Sequence, residues 1–256
     1  MRKQNCLIVC NCGAGIISDE KQELLTNAFK NLDIDVFELH DICALSLNEK
    51  DFLNSFKTDY EFKYLVACYP RAIKNIFRQN NIDIGEYEVL NFRELSSGDI
   101  IETISNKATT TSSKTDYQVK KSRLDVPAWY PVIDESRCTL CGQCARFCVF
   151  GVYKYNKKSL EVVNPLSCKN NCPACGRTCP ASAIIFPRLP ENSVLSGAEP
   201  GKEKKNTQPA QKEGLYLLLN ERNSARRNIF RQDVMQLAEE EKRKAIEELK
   251  KGLKNK

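Results

Sequence analysis

The 256-residue sequence is poor in several patterns that mark large classes of protein. It has one histidine, His40, which excludes zinc sites built on histidine pairs. No apolar run approaches the ~20 residues that cross a membrane, and the short apolar stretch near the N-terminus predicts no secretory signal. The turn at Gly13–Ser18 lacks the third glycine of a dinucleotide-binding fingerprint. We therefore expect a cytoplasmic chain with no membrane span and no dinucleotide site.

Cysteine, by contrast, is abundant, with 13 copies along the chain. A reducing cytosol disfavours structural disulfides. Thiolates that persist in such a compartment commonly bind metal, so the spacing of the cysteines becomes the main evidence about function.

The alternation of apolar and polar segments predicts an α+β chain of five parts. Short strands alternate with helices over residues 1–107, which predicts a small α/β domain with a mainly parallel sheet. The Thr-, Ser- and Lys-rich segment 108–123 is a predicted linker that leads into a cysteine-rich module at 124–190. A second predicted linker at 191–213 leads into a C-terminal helical segment at 214–256.

Two cysteine motifs in the module have the spacing of a cluster-binding site. The first motif is C-x2-C-x2-C-x3-C, and the second differs by one extra residue in its first gap. The motifs comprise Cys138, Cys141, Cys144 and Cys148, and then Cys168, Cys172, Cys175 and Cys179. Three thiolates spaced in this way wrap one face of a [4Fe-4S] cube, and the fourth comes from the other motif.

The spacing therefore predicts two [4Fe-4S] clusters with exchanged fourth ligands. One cluster is assigned to Cys138, Cys141, Cys144 and Cys179, and the other to Cys168, Cys172, Cys175 and Cys148. A pair of zinc knuckles is the alternative, although zinc ribbons do not use a third and a fourth cysteine at these distances.

About 60 residues around these motifs resemble the bacterial-type dicluster ferredoxins. The resemblance implies electron transfer with redox partner proteins. This sequence departs from the family pattern in two places: Val149 replaces a proline, and the gap from Cys168 to Cys172 is longer. Neither departure removes a ligand.

The formal net charge of +6 raises the question of a nucleic-acid partner. A [4Fe-4S] core bound by four thiolates carries a charge of about −2, so two clusters add a charge of about −4 to the module. This negative charge offsets most of the excess of Lys and Arg over Asp and Glu in the cysteine-rich module. We therefore do not expect nucleic acid to be the partner. The remaining alternative, a redox-sensing nucleic-acid binder, predicts strongly salt-dependent binding.

Four further cysteines lie near predicted strand ends in the N-terminal domain. They are Cys10, Cys12, Cys43 and Cys68. The carboxyl ends of parallel strands share one edge of the sheet, where ligands collect, so four thiolates there could hold a third cluster. Each cysteine alone is equally well explained as a small buried apolar residue.

The same segment resembles the N-terminal domain of the flavin-binding subunit of heterodisulfide reductase. The resemblance lies in Cys10-Asn11-Cys12-Gly13, in Cys43, and in Cys68-Tyr69-Pro70-Arg71. It implies a further [4Fe-4S] site on those four cysteines, although the flavin-binding part of that family is absent from this sequence.

Two functional hypotheses follow from these motifs. The first is an electron carrier, or an electron-transfer subunit of an anaerobic redox complex, for which we predict no catalytic residue. The alternative is a heterodisulfide-reductase-like component that acts on a substrate at an N-terminal cluster.

Overall fold

The computed structural model describes residues 3–107, 115–190 and 193–201, together with Glu240 and Arg243. Residues 1–203 form one compact unit and residues 204–256 form a second. Of the predicted C-terminal helix, Glu240 and Arg243 are helical and exposed, and the rest of that prediction lies outside the described residues.

A five-stranded parallel sheet forms the first half of the chain, in the strand order β4-β3-β1-β2-β5. Its strands are β1 (Lys3–Asn11), β2 (Asp35–His40), β3 (Tyr60–Ala67), β4 (Glu86–Asn91) and β5 (Tyr117–Lys121). The central strand β1 continues to β2 on one side, whereas β3 lies on its other side. The strand order therefore reverses between β1 and β3, which makes these two strands a topological switch point. In parallel sheets a crevice forms at the carboxyl ends of the strands at a switch point.

Five helices connect and cover these strands. They are α1 (Asp19–Phe29), α2 (Ile42–Asn48), α3 (Lys50–Asp59), α4 (Pro70–Gln79) and α5 (Ser97–Lys107). Ser18 caps α1, because its hydroxyl accepts a hydrogen bond from the Lys21 amide. The mixed α+β class and the parallel sheet predicted from the sequence are confirmed.

The prediction of a linker over residues 108–123 is wrong for Tyr117–Lys121. These residues form β5, which pairs in parallel with β2 at the edge of the sheet. The side chains of β5 are mostly exposed. A strand at a sheet edge needs few apolar side chains, so its composition resembles that of a linker.

The second predicted linker is also wrong where the structure describes it, at residues 193–201. Ser196 and Ala198 are buried, and the Leu195 carbonyl accepts a hydrogen bond from the Phe186 amide. Gly197 has a φ of 105°, and a Cβ there would lie 2.7 Å from the Cβ of Ala72. A side chain at this position would therefore collide with α4, so glycine permits the close packing.

The cysteine-rich module has little regular structure. Its elements are β6 (Val132–Ile133), α6 (Gln143–Phe147), β7 (Tyr153–Tyr155), β8 (Leu160–Val162), α7 (Ala174–Arg177) and β9 (Ile184–Ile185). The first and last strands, β6 and β9, pair antiparallel, and β7 and β8 form a hairpin between the two motifs. The motifs are thus held by short elements rather than by an extensive sheet.

Two buried ion pairs join the sheet domain to the module. Arg71 Nε lies 2.7 Å from Asp134 Oδ2, and Arg188 Nη2 lies 2.6 Å from Asp41 Oδ2. All four side chains are less than 10% exposed. Buried charges require partners, so these pairs fix the sheet edge against the module.

Within the part of the chain that the structure describes, no helix combines the length and the apolar character needed to cross a bilayer.

Candidate metal centres

Three of the four predicted ligands of the first cluster, Cys138, Cys144 and Cys179, lie together in the small core of the module. All four predicted ligands, called the first set below, are Cys138, Cys141, Cys144 and Cys179. Cys144 lies in the first turn of α6 and is 6% exposed. Burial raises the pKa of its thiol to about 12, and the nearby thiols of Cys179 and Cys138 contribute to the rise. Cys141 lies in the loop before α6 and is half-buried.

The second predicted set gathers around Cys168 and Cys175. This second set consists of Cys148, Cys168, Cys172 and Cys175. The pKa of Cys168 is raised to about 12 and that of Cys175 to about 11. Burial is the main cause, and the thiols of Cys148 and Cys172 contribute to both increases. The last cysteine of the first motif therefore lies beside three cysteines of the second motif.

The two sets are adjacent in space. Burial is the main cause of the raised pKa of Cys144. The Cys175 thiol, which belongs to the second set, raises this pKa further than any other thiol does. Both residues are buried in one small apolar core with Trp129, Ile184 and Phe186. This core keeps water away from the sulfur atoms.

The two motifs have equivalent local geometry despite their different first gaps. The third cysteine of each motif is the second residue of a short helix, α6 or α7. The residue before the second cysteine is left-handed in both, with φ of 53° at Leu140 and 59° at Asn171. The extra residue in the second motif is taken up in a turn, in which the Cys172 amide donates to the Lys169 carbonyl. The longer gap therefore leaves Cys168 beside the other thiols of its set.

Hydrogen-bond donors also approach the sulfur atoms. The Tyr153 hydroxyl donates to Cys175 Sγ at 3.1 Å, and the Ala183 amide donates to Cys179 Sγ at 3.3 Å. The buried indole N–H of Trp129 has no partner that meets full hydrogen-bond geometry. It nevertheless lies near enough to the Cys168 thiol to lower its pKa, against the larger effect of burial. Donors of this kind stabilise thiolates.

The four N-terminal cysteines gather at the carboxyl edge of the parallel sheet. Cys10 lies at the end of β1 and Cys12 just after it, Cys68 directly follows β3, and Cys43 lies in the first turn of α2. Burial is the largest cause of the raised pKa of all four thiols, and neighbouring thiols of the group add to it at Cys10, Cys43 and Cys68. We call them the N-terminal set.

Two arginines supply positive charge at this edge. Arg188 counteracts the raised pKa of Cys12 and Cys43, and Arg93 counteracts that of Cys12 and Cys68. The Nε atom of each arginine is buried without a hydrogen-bond partner. An orphaned cationic N–H next to several thiols fits a bound anionic group better than a set of neutral thiols.

Asp41 organises the same edge. It has a φ of 68°, caps α2 through the Ala44 amide, and accepts hydrogen bonds from Arg188 and from the Ala128 amide. The Tyr130 hydroxyl donates to the Cys43 carbonyl at 2.8 Å. The beginning of the module therefore closes over the N-terminal set.

Cys6 provides a contrast within the same sheet. It is fully buried in the middle of β1, and burial raises its pKa, with smaller effects from Lys63 and Asp35 and none attributed to another cysteine. Cys6 thus lies apart from the three sets.

Among the described residues, no group of three or more His, Cys, Asp or Glu side chains is placed to hold a single metal ion. A cube of four irons separates its thiolates more widely than one ion does, so a cluster does not need such a group.

Comparison with known proteins supports iron–sulfur chemistry in the module. Residues 131–152, which contain the first motif, match the 4Fe-4S binding domain family. A 68-residue stretch is 46% identical to an uncharacterized ferredoxin of Methanocaldococcus jannaschii and covers 26% of this chain. The chain spans 46% of the length of that relative. No solved structure matches the chain.

These similarities support [4Fe-4S] binding by the module. The second motif lies outside the matched residues 131–152, so the number of clusters and their ligands depend on the geometry described above.

The polar residues near the cysteine thiols were not predicted from the sequence. Arg93, Arg188 and Tyr153 carry no motif, and each reaches its site from a different element. Trp129 and Tyr130 are adjacent in sequence, but Trp129 packs in the module and Tyr130 in the core of the sheet domain. The one available signal was the position of these two aromatic residues before the first motif.

Proposed function

We propose that the chain transfers electrons through two [4Fe-4S] clusters held by the first and second sets, and through a third held by the N-terminal set. It acts as a carrier or as a subunit of a redox complex with protein partners, in the cytoplasm. The observation that carries the proposal is the gathering of seven of the eight module thiols, all but Cys141, into two adjacent sets of complementary membership.

When bound, a [4Fe-4S] cluster takes up and releases one electron at a time. The chain contributes the thiolates, the apolar core around Cys144 and Cys175, and the donors that reach sulfur. Burial raises the pKa of thiols such as Cys144 and Cys168, so these thiols are protonated when no cluster is bound. Cluster binding requires thiolates, so cluster assembly releases protons from the protein.

The third cluster is supported by charge as well as by proximity. Four thiols meet at the crevice of the sheet, and Arg93 and Arg188 stand beside them with orphaned N–H groups. Cys168 packs against the cores of both the sheet domain and the module. Cys43 of the N-terminal set and Trp129, which lies beside Cys168, line the same small cavity. The N-terminal set therefore lies on the side of the module that holds the second set.

The alternative is a reductase component that acts on a substrate at the N-terminal cluster. Cys10 and Cys68 are buried, and only Cys12 and Cys43 of this set are partly exposed. This burial favours an electron relay over a site that a disulfide substrate can reach. The reductase hypothesis predicts that a heterodisulfide reoxidises the reduced protein and that Cys12→Ser abolishes this reaction.

Iron and sulfide analysis after anaerobic reconstitution tests the proposal. Three clusters give about twelve irons per chain and two give about eight. We expect Cys12→Ser to lower the count by about four, whereas Cys6→Ala, the matched buried cysteine, leaves it unchanged.

The outcomes separate the claims. A wild-type count of about eight that is insensitive to Cys12→Ser removes the third cluster and keeps the other two. A preparation that contains zinc and no iron overturns the whole proposal.

A further inference from the structure

The two sets of the module differ in the donors that reach their sulfur atoms. Such donors matter because a hydrogen bond to a cluster sulfur stabilises the extra negative charge of the reduced state and raises its reduction potential. The comparison below depends on the proposed function, since it assumes that both sets hold a cluster.

The second set receives a side-chain donor from β7. The Tyr153 hydroxyl lies 3.1 Å from Cys175 Sγ. Tyr153 is held between the hairpin and the small core that contains Cys175, so its hydroxyl is directed to this sulfur by packing.

The second set also lies beside an unsatisfied donor. The indole of Trp129 is 9% exposed and stacks on Phe186, with ring centroids 5.0 Å apart and planes 20° apart. This stacking fixes the ring, and its Nε1 is buried with no hydrogen-bond partner next to the Cys168 thiol. A buried N–H without a partner is costly, and a cluster thiolate or sulfide at this position would satisfy it.

The first set receives its donors from the backbone. The Ala183 amide reaches Cys179 Sγ at 3.3 Å, and the Ala145 amide acts on Cys144. The second set has a comparable backbone donor at Gly176, which acts on Cys175. Backbone amides therefore act on both sets, with two at the first and one at the second, whereas side-chain donors, from Tyr153 and Trp129, act on the second set.

Positive charges do not separate the two sets in the same way. Arg146 lies in the first motif and Arg137 directly before it, and Lys169 and Arg177 lie in the second, so each motif has two basic residues in or beside it. The described positions of these four side chains are exposed or half-buried, and salt screens such charges. Short hydrogen bonds to buried sulfur are not screened.

We propose that Tyr153 and Trp129 are potential-setting residues, which raise the reduction potential of the cluster held by the second set above that of the first. The first electron that enters the module then resides at the second set. This set also lies on the side of the N-terminal set, because Trp129, beside Cys168, shares a small cavity with Cys43. The arrangement retains the electron on the side of the module that faces the sheet domain.

The test is a redox titration followed by electron paramagnetic resonance on the reconstituted full chain. We expect two midpoints from the module in the wild type. Tyr153→Phe should lower the higher midpoint and leave the lower one unchanged, and Trp129→Phe, which keeps a ring against Phe186, should lower the same midpoint. The separation of the midpoints should persist at high salt.

Tyr155→Phe is the matched control. Tyr155 lies on the same strand, but its hydroxyl donates to the Leu140 carbonyl at 2.8 Å rather than to sulfur. We expect this variant to leave both midpoints unchanged. Iron content, measured on every variant, should equal that of the wild type.

The inference is overturned if Tyr153→Phe moves neither midpoint, moves both equally, or moves only the lower one. These results leave the iron content, and with it the proposed function, intact. A wild-type protein that binds no iron instead removes the proposed function itself.

Discussion

The sheet domain and the cysteine-rich module are built on opposite principles. The sheet domain buries a large apolar core between parallel strands and helices, with fully buried residues such as Leu7, Leu39 and Leu65. The module has two two-stranded sheets, two short helices and a small core whose buried members include Cys144 and Cys175. The first region buries an extensive apolar core, whereas the second uses thiols that we propose bind clusters as core residues.

Removal of iron should therefore produce the largest effect and should distinguish the two regions. We expect a chelator under anaerobic conditions to unfold the module, because cluster binding contributes the folding free energy that its small core lacks. The strands β1–β4 should remain folded. Amide hydrogen exchange of the loaded and stripped protein measures both regions in one experiment.

Loss of protection over residues 131–188 with retained protection in β1 and β3 is the expected pattern. Equal loss in both regions, or retained protection in the module, would contradict the contrast drawn between them.

The interface between the two regions should show the next largest effect. The buried guanidinium of Arg71 binds Asp134 and the carbonyls of Ser182 and Val194. Arg71→Ala leaves the Asp134 carboxylate buried without its partner, which costs about 3–5 kcal/mol. Denaturant unfolding of the loaded protein measures this loss.

Lys107→Ala is the control for Arg71→Ala. Lys107 forms an ion pair with Glu88 that is well exposed on both sides, and such pairs contribute about 0–1 kcal/mol. Similar losses in the two variants would show that burial does not strengthen the interface pair.

The smallest expected effect is the pH dependence of folding stability that Asp35 gives to the sheet domain. Burial tends to raise the pKa of Asp35, but hydrogen bonds from Lys3, Tyr60 and the Asp116 amide outweigh it and lower the pKa. Because the folded pKa lies below the unfolded value of about 3.9, this carboxylate stabilises the fold above that pH. The stabilisation is lost as the pH falls through the folded pKa.

We expect Asp35→Asn to flatten the acid side of the stability profile of the iron-free protein. Asp33→Asn, at an exposed loop position, should leave the profile unchanged. A profile that is the same in Asp35→Asn and in the wild type would remove this contribution.

The sequence predicted the parts of the fold that have a local signal. The alternation of strands and helices over residues 1–107, with a mainly parallel sheet, follows from short apolar runs. The strand β5 could not be predicted, because its sequence Tyr-Gln-Val-Lys-Lys is polar and its partner β2 lies about 80 residues earlier. The short helix α2 is capped by Asp41, whose left-handed conformation is supported by tertiary contacts.

The candidate sites show the same division. Cysteine spacing identified the two motifs, because a cluster imposes a local distance between its ligands. The N-terminal set depended on knowing that strand ends share an edge. Arg93, Arg188 and Tyr153 could not be found, since the contacts that bring them to sulfur span many residues and leave no spacing rule in the sequence.

Electron paramagnetic resonance of the anaerobically purified, reduced protein tests the central claim most directly. Because the first and second sets are adjacent at Cys144 and Cys175, two reduced clusters there should interact magnetically and give a spin-coupled spectrum. A colourless protein that contains zinc, or a spectrum from one isolated cluster alone, would contradict the account.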